Sequence, residues 1–297
     1  MIKIIQSSSM SIMAVCVLLL TQVVGCGEDA HEVIDEDTID TSEAPALPPD
    51  ESMTVDLSAF NDGEVMIPQI PVLDGEAQPG PGGTPPAAGK NFTNAAARVV
   101  TINTAIVSAL VPPAGLFSLA KETEPVEQDD GSWLWSYNLT YDIFAIDARL
   151  TGVPDGVRTH WSMRISSENP ILPVEDFEWY TGTSTETNMS GSWQFFDMFT
   201  PGEINPTVKL NWSVAAPEMN AELTIENIDT RSDYLGDVLL YSATPEAASM
   251  SFEDVSEDET WDIEWDIGTG AGSITVPNYN SGEKACWDAQ KQDVQCD

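Results

Sequence analysis

Residues 91–297 hold one histidine, His160, and two cysteines, Cys286 and Cys296, and these set what chemistry is open to them. A zinc site built from His and Cys needs three or four such ligands, so none is expected. A Ser–His–Asp site would need His160 as its base. The sequence has no G-x-S-x-G, and no glycine turn beside a serine to hold an oxyanion. His160 alternates with Arg158 and Arg164 along "VRTHWSMRI", on the polar phase of a strand, and reads as a solvated side chain. No phosphate loop or dinucleotide fingerprint occurs. Carboxylates are plentiful, 34 in these residues, so a two-carboxylate glycoside hydrolase is the enzymatic alternative. Spacing singles out no pair. The acidic run "EDVSEDETWDIEWD" lacks EF-hand spacing and a turn glycine. The expectation is no catalytic residue, no cofactor and no metal.

The nine tryptophans raise a second question. An exposed aromatic platform would mark a carbohydrate-binding module, and an open apolar cavity would take a lipid. Trp133, Trp135, Trp161, Trp212, Trp261 and Trp265 all fall on the apolar phase of alternating segments, which favours core.

The start of the chain carries an address. Residues 1–25 have Lys3 as their only charge and an apolar core, "IMAVCVLLL", closed by Val23, Val24, Gly25 and Cys26. A core of this length is shorter than the roughly 20 apolar residues that cross a bilayer. The closing residues resemble the bacterial lipobox. That resemblance implies a diacylglyceryl group on the Cys26 thiol, cleavage before it, and acylation of the new amino terminus. Several acyl chains anchor stably where one would not. Cys16 is lost with the signal. Gly27 in place of Asp is similar to outer-membrane lipoproteins of the enterobacterial type, and the acidic run after it resembles surface-export signals. The expected location is therefore the cell envelope, at the outer membrane, on its periplasmic or surface face.

Residues 26–90 read as a tether. From Gly27 to Lys90 there are 15 acids against one base, and "GEAQPGPGGTPPAAGK" is Pro/Gly-rich without apolar periodicity. Such a segment cannot bury enough apolar surface to offset its ordering entropy. Residues 53–73 have some apolar content and are the part that could dock. The formal net charge of −38 makes nucleic acid and anionic headgroups poor partners. The acids are spread along the chain, as on proteins of salty habitats, rather than grouped as metal ligands.

Residues 91–297 form one domain. Phe92, Ala96, Val99, Ile102, Ile106 and Leu110 make the stripe of an amphipathic helix, with Asn91 or Thr93 as cap and Pro112–Pro113 as its end. "PAGLFSLAKE" adds a short second helix with Pro113 near its start. After residue 131 the period becomes two. "WLWSYNLTYDI" (Trp133 to Ile143), Val157 to Ile165, "VKLNWSV" and "WDIEWDI" alternate strictly, and seven less regular segments follow near 146–151, 176–181, 191–199, 221–228, 235–242, 248–255 and 272–277. The turn strings "PDG", "SENP", "TPGEINP" and "TGAGS" separate them. The reading is mainly β, with a helix followed by ten or eleven antiparallel strands in sequence order. One helix cannot cover so wide a sheet, so a curled meander is expected, as a half-barrel or barrel, with a sandwich as runner-up.

A helix followed by a curled sheet on a lipoprotein resembles lipoprotein-carrier half-barrels in fold. The strings "DGSWLWSY", "FEWYTG", "SGSW" and "ACWDAQKQDVQC" are similar to uncharacterised β-rich bacterial envelope lipoproteins, a resemblance that transfers no activity. In an exported domain Cys286 and Cys296 are the remaining thiols, with polar sequence between them, and a structural disulfide is expected. The functional expectation is a non-catalytic envelope lipoprotein, held in the membrane through Cys26, whose β domain binds a hydrophobic small molecule or an envelope protein.

Overall fold

The computed structural model describes residues 43–60, 89–105, 109–141, 144–169, 173–198, 200, 205–215 and 220–296. The chain divides into two units, Met1–Ser42 and Glu43–Asp297, and the described residues belong to the second. The signal segment, Cys16, Cys26, Ile106, Ile143 and residues 61–88 lie outside them.

Among the described residues two α-helices precede the strands, α1 (Lys90–Ala105) and α2 (Val111–Ala120). The strands begin with β1 (Val126–Glu127), β2 (Trp133–Tyr141), β3 (Phe144–Pro154), β4 (Arg158–Ser167) and β5 (Val174–Thr185). They continue with β6 (Ser190–Phe196), β7 (Pro206–Ala215), β8 (Asn220–Asn227), β9 (Val238–Ala243) and β10 (Ala247–Asp254). The last are β11 (Glu259–Asp266), β12 (Gly272–Thr275), β13 (Ala285–Trp287) and β14 (Asp293–Val294). All 14 join one antiparallel sheet in sequence order, with β1 and β14 as its two free ends. The closed barrel is thereby excluded. The eleven strands read from periodicity correspond to β2 through β12. The additions, β1, β13 and β14, have two or three residues and carry no period to read. Such short edge strands offer little ladder to a foreign chain.

Alternation places the core. In β4, Thr159, Trp161, Met163 and Ile165 are buried, and in β7 so are Val208, Leu210, Trp212 and Val214. Val157, counted with the first set, instead sits 69% exposed in the turn before β4. Its alternation ran on past the strand into a bend at Gly156, whose φ of +90° ends it. Eight of the nine tryptophans are buried and Trp133 is half-buried. Several put their ring atoms against a glycine of the preceding strand. Trp161 pairs with Gly152, Trp193 with Gly182, Trp212 with Gly191 and Trp287 with Gly272. The absent side chain leaves room for the indole.

α1 packs on β12, β13 and β14, and α2 on β2 and β3. The α1 stripe is Phe92, Ala95, Val99 and Ile102, with Ala96 only half-buried. Asn91 and Thr93 lie inside the helix and do not cap it. Asp293 of β14 supplies the cap, its Oδ1 accepting the Asn91 N–H at 2.8 Å. Pro112 and Pro113 occupy the first turn of α2, where a missing N–H costs nothing.

The largest departure from the tether reading is residues 43–60. Met53 and Leu57 are buried in the main core, and Leu47, Val55 and Phe60 pack against it. The Asn188 Nδ2 donates to the Ala46 carbonyl at 2.6 Å, next to β5 and β6. The Asp50–Ser52 turn lies on β7 and β8. The Asp56 N–H reaches the Tyr241 hydroxyl on β9 at 3.2 Å. Phe60 sits between Phe92, Trp265 and Trp287, with ring centroids 5.8, 5.2 and 6.3 Å away. This strap therefore crosses the apolar face from β6 toward β13, and the folded unit begins at Glu43 rather than at residue 91. The apolar surface it gains offsets the ordering that composition alone argued against.

Candidate functional site

The wet face of the sheet carries the grooves. Following the pairing register, one row of outward residues runs His160, Thr183, Ser192, Asn211, Thr224, Leu240, Ser251, Asp262 and Thr275. It crosses from β4 to β12, eight steps of about 4.8 Å or some 38 Å. Two grooves lie on it. One, of about 430 Å³, takes Thr224, Leu240, Ser251, Asp262 and Thr275 from the row, with Glu222, Glu264 and Lys284 at its side. The other, of about 400 Å³, takes His160, Thr183 and Ser192, with Gln194 and Lys209 beside them and Gly182 in its lining. Most row residues are small and hydroxylated, which keeps the row open.

The charges differ between the two. At the β4 end the "PDGVRTH" turn folds Asp155 back on its own strand. Asp155 Oδ1 accepts the N–H groups of Val157 and Arg158 at 3.1 and 2.8 Å, and Oδ2 meets His160 Nε2 at 2.9 Å. The His160 hydrogen bond, then those two backbone bonds, hold the Asp155 carboxyl down at about 2. Sequence reasoning missed this partner, although an Asp at the head of a tight turn five residues before the histidine was a usable signal. Nearby, Asp176 takes Arg164 Nε at 2.8 Å and also pairs with Arg149. At the β12 end acids dominate, and Lys284 Nζ is tied to Glu264 Oε2 at 2.7 Å.

His160 lies on the wet face, as expected, and its Nε2 is committed to Asp155. One pair of row hydroxyls is bonded, Thr183 Oγ1 with Ser192 Oγ at 3.2 Å. Among the described residues no three His, Cys, Asp or Glu side chains converge as a metal-ligand set. Eight tryptophans are buried in the core and Trp133 is half-buried, which agrees with the core reading of their alternation. Cys286 and Cys296 form the disulfide, with Cα atoms 5.3 Å apart, and it staples β13 to the residues after β14. Cys26, the expected lipidation site, lies outside the described residues.

A buried acid escaped the sequence. Asp237, at the head of β9, is 1% exposed. Its Oδ1 accepts the Val255 N–H at 3.0 Å while Oδ2 has no partner. Burial raises its pKa, and Asp254 and Glu253 add repulsion in the same direction. The chain matches no family model, no curated protein and no solved structure.

Proposed function

We propose that this chain is a non-catalytic, lipid-anchored protein of the cell envelope whose domain binds a polar, chain-like ligand across the wet face. The observation that carries the reading is the division of labour between the two faces. The apolar face is occupied by α1, α2 and the protein's own strap, while both grooves share one polar row on the other face. Small hydroxyls along such a row exchange hydrogen bonds with hydroxyls of a glycan strand or with an extended peptide. The acids flanking the β12 end disfavour an anionic polymer.

The half-barrel reading is supported by the two adjacent helices serving opposite parts of the one sheet, α2 packing on β2 and β3 and α1 on β12, β13 and β14.

Binding to arrayed neutral and anionic polysaccharides tests the function. The expected result is retention on a neutral chain, lost when Ser192→Arg and Ser251→Arg fill the two grooves, with no release of sugar from a chromogenic glycoside panel. Hydrolysis, or binding indifferent to both substitutions, overturns the proposal. Clickable fatty acid should label the wild type and not Cys26→Ser.

A further inference from the structure

The two edges of the sheet are finished differently. At one end α1 packs on β14, and Asp293 of that strand caps the helix through the Asn91 N–H. At the other end β1 is too short to shield the strand behind it. Val126 and Glu127 pair with Leu134 and Trp133, and among the described residues no strand lies beside β2 on this side from Trp135 to Tyr141. The Gln128 N–H donates to the Ser132 carbonyl at 2.8 Å, so residues in phase with Ser132 turn their backbone groups outward. Those are Leu134, which β1 takes, and Ser136, Asn138 and Thr140, which are all exposed.

Open edges are normally guarded by a lysine, a proline, an inward charge or a bulge. β2 has none of these. "WLWSYNLTY" carries no charge and no proline in a chain with 49 acids, and its register with β3 runs unbroken from Trp133 to Tyr141. The Asn138 side chain is held on its own sheet, Nδ2 donating to Asp147 Oδ1 at 2.8 Å and Oδ1 accepting from the Thr140 hydroxyl at 2.8 Å. The backbone is therefore clear at Asn138, the midpoint of the open stretch.

That midpoint gives the edge a self-complementary register. Two antiparallel copies of β2, related by a two-fold axis at Asn138, place Asn138 opposite itself and Ser136 opposite Thr140. These are the residues whose N–H and C=O groups face outward, so each finds a partner. On the wet face the Ser136 and Thr140 hydroxyls meet, and on the apolar face Tyr137 meets Leu139, both only partly buried in the single chain. No like charges meet along β2 itself, which matters for two chains that each carry a formal charge of −38.

We propose that this protein forms a two-fold dimer by pairing the β2 edges of two copies, which joins two sheets into one. Repulsion between the two acidic bodies makes the dimer weak, and salt strengthens it. The seam lies apart from the wet-face grooves, so the two proposals stand or fall separately.

The test uses the full chain with Cys16→Ser and Cys26→Ser, which leaves no thiol outside the Cys286–Cys296 disulfide. Sedimentation velocity at high micromolar concentration should show a fraction at twice the 32.2 kDa chain mass, larger in molar sodium chloride than in dilute buffer. Asn138→Pro removes an N–H that the single chain does not use. It should keep the circular dichroism of the parent and weaken association by about tenfold or more. Cysteine substitutions read the register. Across the axis Asn138→Cys meets its own copy at a Cα separation of about 5.5 Å and should oxidise to a linked dimer. Thr140→Cys stands four residues, or about 13 Å, from its copy and should not. Should Asn138→Pro fail to fold, the cysteine variants decide. A chain that stays monomeric in molar salt overturns the proposal and leaves the edge to a strand of another protein. A dimer indifferent to Asn138→Pro, or cross-linked equally at both positions, overturns it as well.

Discussion

Replacing Gly182 by alanine is the sharpest probe of how the tryptophans are seated. A Cβ built on Gly182 would fall closest to Trp193 Cε3, with the Ser192 carbonyl oxygen at 2.5 Å and Trp193 Cζ3 at 2.6 Å. Ordinary carbon contacts begin at ~3.5 Å, so the indole must retreat by well over ~1 Å. Trp193 has nowhere to go. It is 1% exposed, with Tyr180 at 5.6 Å on one side and Phe117 at 5.7 Å on another. Overpacking of this kind costs about 1–3 kcal/mol, and with a backbone oxygen also in the way the upper half of that range is expected. Gly115 is the matched control. It lies inside α2 with nothing within 4 Å of its added Cβ, so Gly115→Ala should stabilise by about 0.5–1 kcal/mol. Urea denaturation of both variants, compared at equal m, reads the difference. In a double-mutant cycle, Trp193→Leu should recover part of the Gly182→Ala loss. A Gly182→Ala variant within 0.5 kcal/mol of wild type would refute the seating of Trp193 over Gly182.

Four further outcomes are expected. Asp237→Asn should raise the melting temperature at pH 7 by the equivalent of about 1 kcal/mol. The raised carboxyl pKa is a penalty present at neutral pH that vanishes as pH falls below the ordinary 3.8, so the two melting curves should converge near pH 3. Asp155 has the opposite sign: its depressed pKa gives stability present above 3.8 and lost as pH falls through about 2, so the gap between wild type and Asp155→Ala should close over that window. Reduction of Cys286–Cys296 should cost roughly 3 kcal/mol and open the tail to carboxypeptidase; a reduced tail that still resists digestion would count against the staple. Molar sodium chloride should raise the melting temperature, since a formal charge of −38 repels itself in dilute buffer. A flat or falling response would remove that electrostatic account.

The sheet was legible because its signal is local. "WDIEWDI" alternates strictly, and Trp261, Ile263 and Trp265 all proved buried. The α1 stripe and the cysteine pair were readable for the same reason, as each depends on residues close in sequence. The strap was legible only in part: the apolar content of residues 53–73 marked a segment able to dock, and Met53, Leu57 and Phe60 do so, but "MTVDLSAF" joins no ladder and has no period, so its place could not be read; what holds it is a set of single contacts. The indole–glycine pairs need the register across strands, and a lone glycine reads first as a turn. The α1 cap was beyond reach, since Asn91 and Asp293 are separated by 202 residues. The wet-face grooves were partly visible as polar phases, but the row that joins them exists only once nine strands are aligned.

The strap also sets a timetable. Every strand pairs with its neighbours in sequence, so the sheet can lengthen hairpin by hairpin as the chain is made. Residues 43–60 are made before any strand, yet their partners arrive late: Trp193 follows Ser52 by 141 residues, and Tyr241 follows Asp56 by 185. For an exported chain the order of emergence is the same, so Met53, Leu57 and Phe60 wait for the later strands that bury them. For that interval the nascent chain trails a sticky leading end, a natural target for a holding chaperone. The first apolar side chains of the folded unit to be synthesised are among the last to leave water.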